Sequence, residues 1–400
     1  MKKRLLILSH ALELGGAEKS LIGLLNALDP KICDIDLFLL RQEGELMGEI
    51  PSYINLLPQI PAYTVLARPM KDTLKEGHII LSAARLVGKI AAARYDRMHK
   101  CTDSDVALEY SHKFTCPFMP AIRPDKEYDL AISFLTPHYF VARKVRAKKK
   151  IAWIHTDYSR VQVNVPSETT MWRAYDYIAS ISDAVTESFL AIFPELRDRI
   201  ILIENILPER LVKKQADAFS VKDEMSATGW QLLSIGRFCN AKNFDSVPDI
   251  CYRLRERGLD ITWYLIGFGG DEALIRRKIK DTKMQDYVKI LGKKENPYPY
   301  IEQCDWYIQP SRFEGKSVTV REAQLLHKPV IIADYPTSKS QVVNGYDGVI
   351  VPRDNEKCAE AIADIINNKK LREYLINNTY KEDYSNKEEI KKLYALIGEK

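Results

Sequence analysis

The chain has 400 residues, of which 46% are hydrophobic and 28% charged, a composition typical of globular proteins. This length predicts two domains of about 200 residues each. The net charge of +5 is too small to predict nucleic-acid binding, and the sequence contains no recognisable nucleic-acid-binding motif.

Seven cysteines are scattered singly along the chain, and no Cys-x-x-Cys pair occurs. An odd number of isolated cysteines predicts neither a disulfide framework nor a zinc site, and it favours a reducing cytoplasm. The apolar run from Leu5 to Leu8 is too short for a signal peptide, and no run of about 20 apolar residues follows. We therefore expect a cytoplasmic protein that does not span a membrane.

A buried strand is predicted from Arg4 to Ser9, and an amphipathic helix from Ala17 to Leu28. Gly15 and Gly16 lie between them, at the position where α/β sheets bind ligands. The segment contains neither the dinucleotide fingerprint Gly-x-Gly-x-x-Gly nor a Walker P-loop. Two interpretations stay open: a plain tight turn, or a site where Gly16 lets a phosphate or sugar approach the backbone.

A basic amphipathic helix is predicted from His78 to Lys100. Such a helix can lie on an anionic membrane surface. It can equally pack on its domain and present a solvated cationic face. The apolar residues at helical spacing are Ile79, Ile80, Leu81, Leu86, Val87, Ile90 and Ala91, and the cations are Arg85, Lys89, Arg94, Arg97 and Lys100.

Further strands continue the alternation of strands and helices in the first half of the chain. One of them ends at Ile154 and is followed by His155, which we expect to face the ligand crevice. A lone histidine is more often structural, so both interpretations of His155 stay open, and His138 is the weaker candidate. The predicted strands are Asp36 to Leu40, Asp129 to Phe134, Lys150 to Ile154, Tyr177 to Ile181 and Ile200 to Ile203.

Two Asp-x-Asp strings also lie in this half, Asp34-Ile-Asp36 and Asp103-Ser-Asp105. The first falls within a predicted strand and the second in an irregular segment. Neither context favours a metal site.

A polar stretch from Glu204 to Thr228 predicts a linker, after which a second series of strands and helices begins. The whole pattern predicts an α/β protein with two doubly wound, Rossmann-like parallel sheets facing one cleft. The predicted strands are Gln231 to Ile235, Ile261 to Ile266, Tyr287 to Leu291, Trp306 to Gln309, Val330 to Ala333 and Gly348 to Val351. The predicted helices are Phe244 to Arg257, Asp271 to Lys280, Val318 to His327 and those from Asn355 onward.

Two glutamates, Glu314 and Glu322, flank the start of the predicted helix Val318 to His327. Gly315 allows a tight turn between the preceding strand and this helix. The two carboxylates are suited to hydroxyl-rich ligands, although an ordinary solvated helix often carries such a pair.

An anion site is predicted at the start of the same helix. Ser317 is expected to cap it, and the unpaired N–H groups of Ser317 and Val318, together with the helix dipole, attract a group such as a diphosphate. The loop after the strand ending at Ile235 carries Arg237 and Lys242. A planar guanidinium and a compact ammonium are the combination that neutralises a diphosphate. A charged surface loop would contain the same residues.

Together these motifs resemble glycosyltransferase family 4, retaining enzymes with the GT-B fold. The N-terminal half adds Gly15-Gly16-Ala17-Glu18 and His155 at matching positions, and the resemblance is weakest between about Leu46 and Lys126. Lys316 stands where many members have a large apolar residue, a variant associated with bacterial polysaccharide-assembly enzymes. The motifs are, in order, Gly236-Arg237 with Lys242, Gly267-x-Gly269, Ile290-Leu291-Gly292, and Glu314-x7-Glu322.

The resemblance implies a role for each matched residue. Glu314 would bind hydroxyls of the transferred sugar, Glu322 would bind the ribose, and His155 would lie near the anomeric centre. The backbone at Leu291 and Gly292 would meet the base. The residues implied to hold the donor diphosphate are Arg237, Lys242, Gly16, Ser317 and Val318, and the implied catalytic residues are Glu314, His155, Arg237 and Lys242.

The resemblance also implies domain roles and an activity. Residues 1–205 would bind the acceptor, residues 206–384 the nucleotide sugar, and a final amphipathic helix, 385–400, would pack back on the first domain. The expected activity is retaining, metal-independent transfer from a UDP-sugar to a lipid-linked or polysaccharide acceptor in bacterial surface glycan synthesis, without a cofactor. The expected location is cytoplasmic, at the inner face of an anionic membrane. The alternatives are a nucleotide-sugar epimerase of the same fold and a non-catalytic nucleotide-sugar-binding subunit.

Overall fold

The structure, a computed structural model, describes residues 2–13, 15–101, 104–225, 228–314 and 316–398. The chain divides into two compact units. Unit 1 comprises Met1–Ile206 and Lys387–Lys400, and unit 2 comprises Leu207–Asn386.

Unit 1 contains a parallel sheet of seven strands within its described residues, in the order β3-β2-β1-β4-β5-β6-β7. Leu5 to Leu8 of β1 are almost wholly buried, because helices cover both faces of a parallel sheet of this kind. The strands are β1 Lys3–Ser9, β2 Cys33–Leu39, β3 Asn55–Leu56, β4 Tyr128–Ser133, β5 Ala147–Ile154, β6 Tyr177–Ser180 and β7 Ile200–Leu202. The α-helices before the second unit are α1 Gly16–Ala27, α2 Pro61–Thr64, α3 Met70–Lys75, α4 Ile79–His99, α5 Val106–Thr115, α6 Tyr139–Lys144, α7 Val165–Trp172 and α8 Asp183–Ile192.

Helix α4 packs on the rest of unit 1 mainly through its small residues. Ala84, Gly88 and Ala92 are buried together with Leu81. A Cβ atom on Gly88 would lie 2.9 Å from the carbonyl oxygen of Tyr110 in α5, so only glycine permits this approach of the two helices. Apart from Leu81, the larger aliphatic residues of α4 therefore do not form the packing face.

Unit 2 contains a parallel sheet of six strands within its described residues, in the order β10-β9-β8-β11-β12-β13. Its core includes the fully buried Trp263 and Trp306. The strands are β8 Trp230–Ile235, β9 Ile261–Ile266, β10 Val288–Gly292, β11 Trp306–Gln309, β12 Val330–Ala333 and β13 Val349–Val351. The α-helices are α9 Glu209–Ala216, α10 Val247–Glu256, α11 Glu272–Asp281, α12 Tyr298–Gln303, α13 Val318–Leu325, α14 Ser338–Gln341, α15 Asn355–Ile366 and α16 Lys369–Thr379.

The predicted class, two doubly wound parallel sheets, is confirmed, but some elements differ from the prediction. The predicted linker contains helix α9, whose Leu211 and Val212 are buried despite the polar composition around them. Helix α13 ends at Leu325 rather than at His327, because His327 adopts the left-handed φ of 56°.

The last described helix, α17 Ile390–Leu396, belongs to unit 1. The N–H of Asp29 donates to the hydroxyl of Tyr394 at 2.7 Å. Lys149 Nζ, in β5, donates to the carbonyl of Leu396 at 2.8 Å. Unit 2 is therefore inserted into the sequence of unit 1. Within the described residues, no helix combines the length and the apolar character needed to cross a bilayer.

Candidate functional site

Three loops at the carboxyl edge of the unit 2 sheet are held together by their backbones. The N–H of Phe238, after β8, donates to the carbonyl of Phe268, after β9, at 2.8 Å, and the N–H of Gly267 donates to the carbonyl of Gly292 at 2.9 Å. A Cβ atom on Gly267 would lie 1.8 Å from the carbonyl oxygen of Gly236. The Gly-x-Gly motif therefore allows the close packing of these loops.

Lys242 and Glu314 form an ion pair at this edge. Lys242 Nζ lies 2.5 Å from Glu314 Oε1, and the two side chains are 21% and 9% exposed. The hydroxyl of Ser311 donates to the same carboxylate oxygen at 2.7 Å. Glu314 Oε2 has no partner among the described residues, so this carboxylate is oriented and keeps one oxygen available to accept a hydrogen bond.

A buried chain of hydrogen bonds orients Glu314 from the sheet. The hydroxyl of Tyr307 donates to Gln309 Oε1, and Gln309 Nε2 donates to Ser311 Oγ, both at 2.8 Å. Ser311 in turn donates to Glu314. The sequence analysis missed these positioning residues, although their spacing of two residues along and just beyond β11 places them on one side of the strand.

Arg237 lies on the same loop as Lys242, and its side chain is exposed. It has no hydrogen-bond or ion-pair partner in the part of the chain that the structure describes. A guanidinium in this state is available for bidentate binding of an anion.

The start of α13 differs from the prediction. Ser317 occupies the N-cap position, but its side chain does not cap the helix, and its Oγ lies 3.1 Å from Thr319 Oγ1. The N–H of Ser317 donates to Gln341 Oε1 at 2.9 Å, and Gln341 Nε2 donates to the carbonyl of Ser317 at 2.6 Å. The expectation that the Ser317 N–H is unpaired is therefore wrong. The next residue, Val318, is 42% exposed, and Gly315 lies outside the described residues.

We predict that Gln341→Ala destabilises the protein by about 1–3 kcal/mol, because buried backbone groups of Ser317 lose their partners. Gln341→Glu, which keeps the acceptor but loses the donor, should have a stability between those of wild type and Gln341→Ala. Urea unfolding measures the effect, and an unchanged free energy of unfolding in Gln341→Ala would contradict this prediction.

The residues expected to meet the nucleoside lie in the same unit. Glu322 is buried on α13 and accepts a hydrogen bond from the hydroxyl of Tyr298 at 2.6 Å. Leu291 is half-buried at a β-bulge of β10, and Gly292 adopts a φ of +74°. The bulge changes the direction of the strand end, and the Oε1 atom of Glu322 is already bound by the hydroxyl of Tyr298.

Gly16 is exposed at the first position of α1, with open space where a Cβ would lie. The carboxylate of Glu18 folds back over the start of the helix, 1.9 Å from the position of a Cβ on Gly15. Burial raises the pKa of Glu18.

His155 lies just beyond the carboxyl end of β5, with its ring centroid 4.6 Å from that of Phe134. Its Nε2 is buried and has no hydrogen-bond partner among the residues that the structure describes. Burial lowers the pKa of His155 to about 4. The imidazole is therefore neutral near pH 7. His138, in contrast, is fully buried and its Nδ1 lies 2.8 Å from Ser133 Oγ, which indicates a structural role.

His155 and His138 belong to a group of four histidines, two buried and two half-buried, that the sequence analysis did not predict. Burial lowers the pKa of His10 to about 4 and that of His112 to about 3, and the ring centroids of these two lie 5.6 Å apart. Burial also lowers the pKa of His138 well below its usual range. The four residues come from distant segments, so no local motif identifies the group.

The Asp-x-Asp strings contribute no metal ligands in the described structure. Asp36 accepts hydrogen bonds from Lys126 Nζ at 2.8 Å and from the hydroxyl of Tyr128 at 2.5 Å. Asp103 lies outside the described residues. No group of three or more histidine, cysteine or carboxylate side chains suited to a metal ion occurs among residues with a described placement.

The two parallel sheets give the protein the GT-B fold. A solved structure of Anabaena HepE in complex with UDP-glucose is similar to this chain with a TM-score of 0.60 and 14% sequence identity, covering 98% of this chain and 100% of that one. At this identity, the similarity establishes the fold alone.

Comparisons of sequence identify a matching family model and several relatives. Residues 216–382 match the family model "Glycosyl transferases group 1". The amylovoran biosynthesis glycosyltransferase AmsK of Erwinia amylovora is 25% identical over 140 residues, 33% of this chain and 34% of that protein. The N-acetylgalactosamine-N,N'-diacetylbacillosaminyl-diphospho-undecaprenol 4-alpha-N-acetylgalactosaminyltransferase of Campylobacter jejuni is 26% identical over 157 residues, 39% of this chain and 40% of that protein. The alignments thus span well under half of these relatives.

Proposed function

We propose that this protein is a glycosyltransferase that transfers a hexose from a UDP-sugar. The main observation behind the proposal is the Lys242–Glu314 ion pair at the carboxyl edge of the unit 2 sheet. It combines a cation with an oriented carboxylate that can accept hydrogen bonds from sugar hydroxyls, at the edge where α/β sheets bind ligands. The match of residues 216–382 to a glycosyltransferase family model supports it, as does the likeness to a protein solved with UDP-glucose.

In the proposed reaction, the bond between the anomeric carbon and the UDP oxygen breaks, and a bond to the acceptor oxygen forms. Negative charge grows on the leaving diphosphate, and Arg237 and Lys242 stabilise it more strongly in the transition state than in the bound donor. Lys242 is shared between Glu314 and the phosphate, while Glu314 Oε2 accepts a hydroxyl of the transferred sugar. The Val318 N–H adds a donor at the helix start.

We propose that the configuration at the anomeric carbon is retained. The acceptor then attacks from the face that UDP leaves, and its proton passes to the departing phosphate oxygen. Burial lowers the pKa of His155 to about 4, which does not favour a role as general acid near pH 7, so no proton transfer is assigned to His155.

The proposed acceptor is a lipid-linked or polysaccharide glycan of a bacterial surface. The name of the Campylobacter relative, which acts on a diphospho-undecaprenol-linked substrate, supports this assignment. Because such acceptors are held in the membrane, we propose that the protein works peripherally on its inner face.

We expect UDP to bind and to raise the stability by about 2.7 kcal/mol at a concentration near 100 Kd. Transfer from a UDP-sugar to a lipid-linked acceptor should be unaffected by EDTA, because Arg237 and Lys242 supply the charge that a metal would otherwise provide. Calorimetry with UDP and GDP, followed by a turnover assay with and without EDTA, tests this. Strict dependence on added Mg²⁺ would contradict metal independence.

The same assay separates the two alternative functions. Isomerisation of the UDP-sugar without an acceptor would identify an epimerase. Tight UDP binding without turnover on any acceptor would identify a binding subunit, and absence of UDP binding would overturn the proposal of a UDP-sugar donor.

A further inference from the structure

The outward face of α4 carries a stripe of large aliphatic side chains. Ile79, Ile80, Leu86, Val87 and Ile90 are each exposed over 48–64% of their surface. Helical spacing places all five on one side, opposite the small residues that pack on unit 1. Single exposed apolar residues are ordinary, whereas a contiguous stripe indicates an interaction surface. We call these five residues the α4 stripe.

The α4 stripe is bordered by cations. Lys89, Arg94, Arg97 and Lys100 are exposed on the same helix or at its end, and none has an ion-pair partner in the described part of the chain. The single acidic residue of α4 is Asp96. The outward face therefore combines apolar surface with unneutralised positive charge.

The apolar and cationic character of this face favours one kind of partner for the α4 stripe over another. A second copy of the chain docked on the same face would bring the two sets of cations together, and like charges oppose such an interface. An anionic bilayer offers hydrocarbon for the stripe and phosphate groups for the cations. The helix lacks the apolar character needed to cross a bilayer, so it would lie in the interface.

We infer that α4 docks unit 1 on an anionic membrane, with the α4 stripe entering the boundary between head groups and acyl chains. The membrane binding itself does not depend on the proposed function. Only its biological role, bringing the enzyme to a lipid-linked acceptor, rests on that function. Vesicle binding is measured without sugar transfer or UDP, so its failure is distinguishable from failure of the proposed activity.

The test is co-sedimentation of the full chain with vesicles of phosphatidylcholine alone or mixed with phosphatidylglycerol. Wild-type protein should bind the anionic vesicles and be released by salt. The triple variant Ile80→Ser, Val87→Ser, Ile90→Ser should bind at least tenfold more weakly. The triple variant Lys89→Gln, Arg94→Gln, Arg97→Gln should lose about fivefold per cation, or about a hundredfold in all.

Matched controls lie on unit 2. Val343 is 60% exposed, so Val343→Ser removes a comparable aliphatic side chain, and Arg277→Gln with Lys280→Gln removes exposed cations from α11. These controls should bind vesicles as wild type does, and all variants should bind UDP equally well.

Three outcomes would overturn the inference. They are absence of binding to anionic vesicles at low salt, unchanged binding by the α4 stripe variant, and light scattering that shows a wild-type dimer that the same variant dissociates. The last result would identify a second copy as the partner that covers the stripe.

Discussion

Replacing Lys242 by methionine should lower kcat/KM for sugar transfer about a thousandfold, equivalent to about 4 kcal/mol of transition-state stabilisation. The loss has two physical sources. The leaving diphosphate loses a preorganised cation, and Glu314 loses the ion pair that helps to hold its carboxylate. Because Glu314 is only 9% exposed, the unpaired carboxylate should also destabilise the protein by about 1–3 kcal/mol.

A double variant separates the two sources. Lys242→Met with Glu314→Gln removes both charges, so the stability should return towards that of wild type while kcat/KM stays at least about a thousandfold below wild type. Lys213→Met is the matched control, because Lys213 forms an exposed ion pair with Glu209 on α9, and its activity should be unchanged. Retention of more than a tenth of the wild-type kcat/KM by Lys242→Met would remove Lys242 from the proposed mechanism.

Acidification from about pH 7.5 to about pH 5 should cost unit 1 about 3–6 kcal/mol of stability. Burial lowers the pKa of His10 and His155 to about 4 and that of His112 to about 3, against an ordinary value of 6.5. The unfolded chain therefore binds more protons than the folded unit below pH 6.5. The stability that the neutral histidines contribute is fully present above that pH and is lost as the pH falls towards 4. At pH 5 the loss is about 2 kcal/mol for each histidine.

Glu168 acts in the opposite direction. Burial raises its pKa to about 7, so folded unit 1 holds a proton there and gains stability as the pH falls. The stability gained from Glu168 offsets the loss caused by about one of the histidines. The histidine group therefore still determines the sign of the pH dependence.

Hydrogen exchange of peptides from β1 and β5 measures the stability of unit 1 separately from that of unit 2. In His112→Gln, unfolding near pH 5.5 should take up about one proton fewer than in wild type, which lowers the slope of stability against pH by about 1.4 kcal/mol per pH unit. A slope identical to that of wild type would show that His112 titrates normally in the folded state.

Apart from β3, the strands of both sheets could be predicted from the sequence because buried parallel strands are continuous apolar runs, such as Leu5 to Leu8. Strand β3 was missed because two residues carry no periodicity. Helix α9 was missed because its charged residues dominate the local composition, although Leu211 and Val212 give it a buried side.

The orientation of α4 could not be read from periodicity. A pattern of apolar residues predicts a helix, but here the closest packing is made by Gly88 and neighbouring small residues, which leaves the larger side chains outside. Which side faces the unit depends on the shape of the surface it meets, and a single sequence does not contain that surface.

The candidate site also contains some features that could be predicted from the sequence and others that could not. Lys242 and Glu314 could be singled out because each stands in a short motif at a strand end, and the structure places them in contact. The hydrogen bonds of Gln341 to Ser317 join residues 24 positions apart in the sequence. Helix α13, strand β12 and the short helix α14 occupy most of the intervening segment. Nothing in either local segment signals the other.

The insertion of unit 2 within the sequence of unit 1 has a consequence for biosynthesis. As the ribosome extends the chain, residues 207–386 emerge in one stretch and can assemble their own sheet. Unit 1 must wait for the segment that supplies Tyr394 and Leu396, the partners of Asp29 and Lys149. Most of unit 1 is therefore synthesised before unit 2, but its folding is completed only after the carboxyl-terminal segment has been synthesised.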